Sequence, residues 1–182
     1  SSNSDDYSRL GAAIGNNTHL ETLTVILNEN TLTVEDRGFY DGMKRNSSIR
    51  EVDLIGHFDN NNIIIGGVIH EMLKVYQENS SHLTSIAILH CNLVNGGDGV
   101  FATTLSKCIN LKHIDLMRCD ITDEQLLLIV EGVRWNHSLE TLDLPGNRIG
   151  NNGCQALTTL LEDPNSSICT LVLQENHIGI DG

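Results

Sequence analysis

Cysteine and histidine are the side chains in this sequence that would first suggest a metal site or a nucleophile. The chain has five cysteines and eight histidines. The cysteines are odd in number and form no CxxC pair, which argues against a zinc frame and against a set of disulfides. No HExxH motif, glycine-rich phosphate loop or Ser–His–Asp order accompanies the histidines. We therefore expect reduced, mostly buried thiols, no metal, no cofactor and no catalytic activity.

The charge balance restricts the class of partner. The chain has 182 residues, with 24 acidic and 11 basic side chains and a formal charge of −13. This excess of carboxylates argues against a nucleic acid or an anionic membrane surface as partner. It is compatible with a basic protein surface, or simply with solubility. No apolar run approaches the roughly 18 residues of a membrane span, and residues 1–10 do not resemble a signal peptide. We expect a cytoplasmic location, with a nuclear one as the alternative.

One spacing of apolar residues recurs along the chain and must position these side chains. In the segment LETLDLPGNRI, apolar residues stand at offsets 0, 3, 5 and 10 from Leu139, with Asn147 at offset 8. The same offsets recur, in full or in their first part, from starts at Leu20, Ile49, Leu83, Leu111 and Ile168. A fixed period of this length is typical of a solenoid.

Elementary geometry explains the offsets. Offsets 3 and 5 share one face of a short strand because successive side chains alternate. At offset 8 the chain turns, and an asparagine amide can both donate to and accept from buried backbone groups there, whereas a cysteine can fill the place more weakly. In repeat one, Leu32 or Val34 is expected to enter the core.

A helix follows each strand. In residues 150–164 the apolar side chains of Ala156, Leu157, Leu160 and Leu161 would share a face, and Asp163–Pro164 would end the helix. In residues 122–135 the buried face would be Leu126, Ile129, Val130 and Val133, with Thr122 as N-cap. Residues 7–15 resemble the closing helix of a preceding repeat, and neither end resembles a capping repeat, so we expect a segment of a longer protein.

The segments LETLDLPGNRIGNNG, LKHIDLMRCDI, LTSIAILHCNL and ICTLVLQENHIG resemble the leucine-rich repeat family, in particular its ribonuclease-inhibitor-like subclass. The resemblance implies an α/β solenoid, a horseshoe segment with a parallel sheet on the concave face and helices on the convex face. It implies one domain over residues 1–182, with about six repeats. It also implies a protein–protein interaction scaffold, or alternatively a regulator of an enzyme such as a small-GTPase activator, or a sensing or autoinhibitory segment of a multidomain receptor.

The outward positions of the strands are the candidate partner-binding residues. Offsets 2, 4, 6 and 7 are expected to face the concave side, so that an acidic row lies beside an apolar row, as a protein-binding surface requires. The eleven candidates are Glu51, Asp53, Leu89, His90, His113, Asp115, Met117, Arg118, Asp143, Gln174 and Glu175. The oligomeric state is left open.

Two further features have alternative interpretations. The insertion at residues 57–67 predicts either a contact loop at the rim or a helix lead-in, with Ile63–Ile65 supplying core. Asn-x-Ser/Thr occurs five times, at Asn16, Asn46, Asn79, Asn136 and Asn165. These are either glycosylation sites or helix-to-strand corners in which asparagine takes a left-handed conformation; the repeat favours the corners.

Overall fold

The computed structural model describes residues 2–28, 32–56, 62–78, 82–93 and 98–180. Within these ranges helices and strands alternate in the order α1 Ser2–Asn16, β1 Thr22–Leu27, α2 Arg37–Arg45, β2 Glu51–Gly56, α3 Asn62–Glu78, β3 Ser85–Leu89, α4 Asp98–Lys107, β4 His113–Asp115, α5 Asp123–Val133, β5 Thr141–Asp143, α6 Asn151–Leu161 and β6 Thr170–Val172. The strands form one parallel sheet whose spatial order is the chain order, β1 to β6.

The core lies between the sheet and the helices, and the repeat offsets predict it well. Residues at offsets 0, 3 and 5 of the four inner repeats are at most 5% exposed, among them Val52, Ile86, Ile114 and Leu142. In β1 and β6, which have a neighbouring strand on one side only, the corresponding residues are partly buried. In repeat one Leu32 is 2% exposed and enters the core as expected, whereas Val34 is 45% exposed.

One outward prediction is wrong for the first two repeats. Leu27, at offset 7, is 1% exposed, because β1 continues through this position and an odd offset then faces the core. Gly56 is the corresponding last residue of β2. It has no side chain to point outward, and a Cβ there would lie 2.5 Å from the carbonyl oxygen of His90. In repeat three, His90 instead has a φ of +57°. That left-handed residue breaks the alternation, and its side chain is only partly buried.

The helices follow the predicted faces with one exception. All four residues expected on the buried face of α5 are buried, and α6 ends at Leu161, two residues before Asp163. Leu161 itself is 46% exposed, and it is the last residue of the helix. At the other end of the array α1 and α2 pack closely, since a Cβ on Gly42 would overlap the carbonyl oxygen of Gly11.

The insertion is partly helical. Residues 57–61 lie outside the described residues, but Asn62 begins α3, which has 17 residues against 9 to 11 in α2, α4, α5 and α6. Residues 62–67 therefore belong to a helix and not to a rim loop, as the helix lead-in interpretation predicts. In the part of the chain that the structure describes, none of the helices combines the length and apolar character needed to cross a bilayer.

Candidate protein-interaction surface

The turn after each strand is held by a side chain at offset 8. Asn147 is 3% exposed. Its Oδ1 accepts the backbone N–H of Cys119 (2.9 Å) and Ile121 (3.1 Å), and its Nδ2 donates to the carbonyl oxygens of Leu116 (2.8 Å) and Leu144 (3.0 Å). Three of these four partners belong to the preceding repeat. Asn147 thus satisfies backbone groups that burial would otherwise leave unpaired.

Cysteine replaces asparagine in this ladder with fewer bonds. The Cys119 thiol donates to the Ile88 carbonyl oxygen, with Sγ and O 2.8 Å apart. Burial raises the pKa of the Cys91 thiol to about 12 and raises that of Cys119 well above its ordinary value. These thiols therefore serve as buried donors in the turn and are inert as nucleophiles.

A second ladder occupies the helix-to-strand corners, where the Asn-x-Ser motifs lie. Asn46 is 5% exposed and Asn136 is 6% exposed. Asn46 Nδ2 donates to the Ile14 carbonyl oxygen (2.7 Å), and its Oδ1 accepts the Ile49 N–H (2.8 Å). The left-handed conformation predicted for these asparagines is wrong: Asn46 is extended, at φ −70° and ψ 136°. The side chain fills the corner by bridging two repeats, so the backbone needs no positive φ.

Burial of these two side-chain amides also decides between glycosylation and a structural role at the corner, the two interpretations that the sequence left open. A glycan requires an accessible asparagine side chain, and those of Asn46 and Asn136 are enclosed and hydrogen-bonded. Asn16 and Asn165 are exposed, and Asn79 lies outside the described residues. At the two buried motifs the repeat, and not glycosylation, explains the sequence.

The candidate residues at even offsets do share the outward face of the sheet, hereafter the concave face. Register places Glu51, Ser85, His113, Thr141 and Thr170 in one column. The adjacent column contains Asp53, Ala87, Asp115, Asp143 and Val172. Parallel register therefore aligns the carboxylates of β4 and β5 directly opposite one another, with Ala87 between Asp53 and Asp115.

The first strand supplies partners that the sequence did not predict. Thr22 Oγ1 donates to a Glu51 carboxylate oxygen, and Thr24 Oγ1 donates to one of Asp53, each over 2.9 Å. Both threonines stand at the same offsets as the carboxylates that they contact, one repeat earlier. The repeat offsets therefore place each threonine beside its carboxylate, but only the side-chain positions reveal the hydrogen bonds.

Asp115 and Asp143 experience each other's charge. Burial raises the pKa of the Asp115 carboxyl above its ordinary value; the bond from the Met117 N–H lowers it, and nearby Asp143 raises it. Burial likewise raises the pKa of Asp143, whereas His113 lowers it. Among the described residues Asp143 Oδ1 is buried and has no hydrogen-bond partner. An added positive charge beside this pair would interact favourably with both carboxylates.

The candidates at offset 7 form a column at the ends of the strands. His90, Arg118 and Glu175 have φ values of +57°, +54° and +57°, and Gly146 has +68°. Arg118 Nη2 lies 3.3 Å from Glu175 Oε2, so these two candidates form an ion pair with each other. Because Arg118 extends over Gly146, a Cβ on that glycine would lie 2.6 Å from Arg118 Cγ.

Leu89, Met117 and Gln174 stand at offset 6, next to that column. Leu89 pairs in register with Ile55, and the Met117 carbonyl oxygen accepts the His90 N–H over 3.0 Å. Leu89 and Met117 are half-buried and Gln174 is exposed. All eleven candidates are thus at least partly accessible. The backbone register aligns them in columns along the sheet and the turns that follow it.

Comparison with known proteins agrees with this architecture. The family model described as "Leucine Rich repeat" matches residues 107–127 and 136–157, which include β4, the start of α5, β5 and most of α6. The chain folds as a leucine-rich repeat solenoid, two repeats of which this family model matches. The ribonuclease-inhibitor-like subclass stays a prediction.

Leucine-rich repeat-containing protein 41 of Mus musculus is 31% identical over 116 residues, which are 61% of this chain and 14% of that protein. NACHT, LRR and PYD domains-containing protein 13 of Homo sapiens is 30% identical over 101 residues, 56% of this chain and 10% of that protein. This leucine-rich repeat chain thus spans about a tenth to a seventh of the length of these relatives. A solved internalin structure from Listeria monocytogenes has a TM-score of 0.48 at 16% identity, with 93% of this chain and 46% of that one covered.

The leucine-rich repeat framework also separates the titratable side chains. Within the described ranges, no group of three histidine, cysteine, aspartate or glutamate side chains is arranged to hold a metal ion. Cys91 is buried in the turn ladder, whereas its neighbour His90 lies at the surface with a left-handed backbone. The left-handed backbone at His90, which ends the strand alternation, therefore separates the two potential metal ligands.

Proposed function

We propose that this leucine-rich repeat chain is a non-catalytic scaffold that binds a protein partner through the concave face. The observation that carries the proposal is the aligned pair Asp115 and Asp143, with one buried carboxylate oxygen that has no donor among the described residues. Half-buried Met117 follows Asp115 by two residues, half-buried Leu89 stands at the same offset one repeat earlier, and both supply apolar area. Apolar contacts beside charge are the usual composition of a binding surface.

The charge of this surface points to the kind of partner. Asp53 precedes the aspartate pair in the same column, and the chain as a whole has a formal charge of −13. A partner that presents lysine or arginine side chains would gain charge-assisted hydrogen bonds at the pair and faster association through electrostatic steering. Arg118 and Glu175 neutralise each other, so they contribute shape to this surface more than net charge.

The test is capture from a lysate with three baits. Two of them are the native chain and the triple variant Asp53→Lys, Asp115→Lys, Asp143→Lys. A matched bait carries the same charge change on exposed helix and loop residues, as Asp6→Lys, Glu35→Lys, Asp41→Lys. We expect a partner that the native and matched baits retain and the concave variant loses. Equal retention by all three baits would contradict binding through the concave face.

A second candidate is a sensing or autoinhibitory segment. It is favoured by the similarity to NACHT, LRR and PYD domains-containing protein 13, whose name puts leucine-rich repeats in one protein with two other domains. Purified NACHT and PYD domains of that human protein, added to the same immobilised baits, separate the two candidates. Retention that depends on Asp115 and Asp143 would favour the sensing segment, and no retention would favour the scaffold.

A further inference from the structure

The helical side of the molecule contains a groove between α5 and α6. Val130, Ala156 and Leu160 form its floor, and each is at most 8% exposed. Leu127 and Thr159 form part of the walls, and Leu127 is 50% exposed. We call this site the convex groove. It lies on the opposite side of the repeat from the aspartate pair and does not depend on the function proposed above.

Helix packing explains why a groove occurs at this place. A Cβ on Gly132 of α5 would lie 2.6 Å from the Ala102 carbonyl oxygen, so α4 and α5 approach closely through this glycine. Ala156 of α6 lines the space beside Val130 of α5, and these small and medium side chains leave the cleft between the two helices open. The cleft is about 160 Å³. An apolar cavity of about 150 Å³ accommodates a benzene ring, so the convex groove matches one aromatic or leucine-sized side chain.

The charges around the convex groove are mostly acidic. Glu131 and Asp163 line it, and exposed Glu124 and Glu162 lie on the same two helices or directly beyond them. Among the described residues Arg134 is the single cation in the lining, and its guanidinium lies 5.3 Å from the centre of the Trp135 ring. This surface complements a partner segment whose apolar side chain is flanked by lysine or arginine.

Exposed aromatic and aliphatic area supports an interaction here. Trp135 is 66% exposed and Leu161 is 46% exposed, and they lie at the ends of the two helices that form the convex groove. Tryptophan is prominent among residues that dominate binding energy at interfaces. A contiguous apolar patch with a charged border is the usual sign of an interaction site.

We propose that the convex groove is a second binding site, which accepts a phenylalanine- or leucine-sized side chain of a basic peptide segment. The cation of the peptide would lie against Glu131 and its apolar side chain on Ala156 and Leu160. The chain would then bind two partners at once, one on each side of the solenoid.

The probe is a hexapeptide with blocked termini and the sequence KKFLKK. It is titrated into the isotopically labelled chain. We expect saturable chemical-shift changes in the amides of α5 and α6, and a change in the fluorescence of Trp135, which is the only tryptophan in the sequence. A peptide with two serines in place of phenylalanine and leucine should bind at least tenfold more weakly, and so should one with glutamates in place of the lysines.

Two matched pairs of variants locate the site. Thr159→Trp fills the convex groove, whereas Thr158→Trp places the same side chain on the adjacent exposed position outside it. Glu131→Lys reverses a charge in the lining, whereas Glu35→Lys makes the same change at an exposed position in the loop before α2. The first member of each pair should lose at least tenfold in affinity, and the second should retain it within twofold.

Several outcomes would overturn the proposal. Shift changes confined to the concave face, equal binding of the serine peptide, or no saturable binding would each exclude an apolar-and-cationic ligand in the convex groove. Concentration-dependent shifts in α5 and α6 without peptide would identify a second copy of the chain as the occupant instead. The variant Asp115→Asn, Asp143→Asn should bind the peptide normally, so failure of the concave-face proposal leaves this result unaffected.

Discussion

Arg118 and Glu175 form an ion pair over 3.3 Å although 57 residues separate them in sequence. They belong to repeats four and six, and Gly146 of repeat five lies between them. The pair forms because Gly146 has no side chain: a Cβ there would lie 2.6 Å from Arg118 Cγ. The three residues therefore act as a unit at the ends of the strands.

Gly146→Ala tests this unit. The left-handed backbone (φ +68°) costs alanine about 1–2 kcal/mol, and the contact with Arg118 adds to that cost. In an Arg118→Ala background the contact is absent, so chemical denaturation should give a loss smaller by about 1 kcal/mol. Gly99→Ala, whose Cβ would meet no atom of the described residues within 4 Å, is the control and should not destabilise the chain. Equal losses in both backgrounds would contradict the contact.

Asn147 should be among the most sensitive positions. Asn147→Ala leaves the N–H groups of Cys119 and Ile121 and the Leu116 carbonyl oxygen without this partner. Because each buried polar group left without a hydrogen bond costs about 1–3 kcal/mol, the free energy of unfolding should fall by at least about 3 kcal/mol. Asn147→Cys, which imitates the neighbouring repeat, retains a donor and should lose less. If urea denaturation gave alanine and cysteine the same stability, the ladder would not be the cause.

Asp143→Asn should raise the melting temperature at pH 7. Burial raises the folded-state pKa of this carboxyl above its unfolded value of about 3.9, so the charged form destabilises the fold. The advantage of the variant should persist until the pH falls to the raised pKa and vanish below about 3.9. Glu140→Gln is the opposite control: Lys112 lowers that pKa, so the variant should lose stability near neutral pH. A pH-independent gain for Asp143→Asn would exclude titration as its origin.

The cysteines should differ sharply in alkylation by iodoacetamide under native conditions. Cys169 is exposed and should react first, followed by half-buried Cys154. Cys91, Cys108 and Cys119 are buried, and burial raises the thiol pKa of the first two to about 12. They should remain unlabelled in peptide mass spectra until denaturant is added. Early labelling of Cys119 would contradict its place in the turn ladder.

The corner asparagines give a matched comparison. Asn136→Gln should lower the free energy of unfolding by about 1–3 kcal/mol because the longer amide cannot keep its bond to the Cys108 carbonyl oxygen in a closed corner. Asn165→Gln alters the same sequence motif at an exposed position and should have little effect. Similar losses at both positions would show that exposure does not distinguish them.

The sequence predicted the core because burial in a repeat depends mainly on local alternation. Leu142 and Leu144 face inward because they occupy the same two offsets as Ile114 and Leu116, and spacing in the sequence is enough to predict that. The predictions of burial were wrong where burial depends on the residue at which a strand or helix ends. Leu27 is buried because β1 continues, and Leu161 is exposed because α6 ends there.

The candidate surface was only partly predictable. Register follows from the repeat, so the alignment of Asp115 with Asp143 could be foreseen. The Arg118–Glu175 pair could not, because it depends on side-chain direction across an intervening turn. The convex groove also lay beyond sequence analysis, since it depends on how far apart α5 and α6 pack.

The turn and corner ladders have a common direction. Asn147, Asn176 and Cys119 each reach back to backbone groups of the repeat before them, and Asn46 and Asn136 do the same at the corners. A repeat that emerges from the ribosome therefore carries unsatisfied carbonyls until its successor is made. Hydrogen bonds between repeats therefore form in the order of translation. If synthesis stalled, the newest repeat would lack the hydrogen bonds from its successor, whereas all earlier repeats would have them.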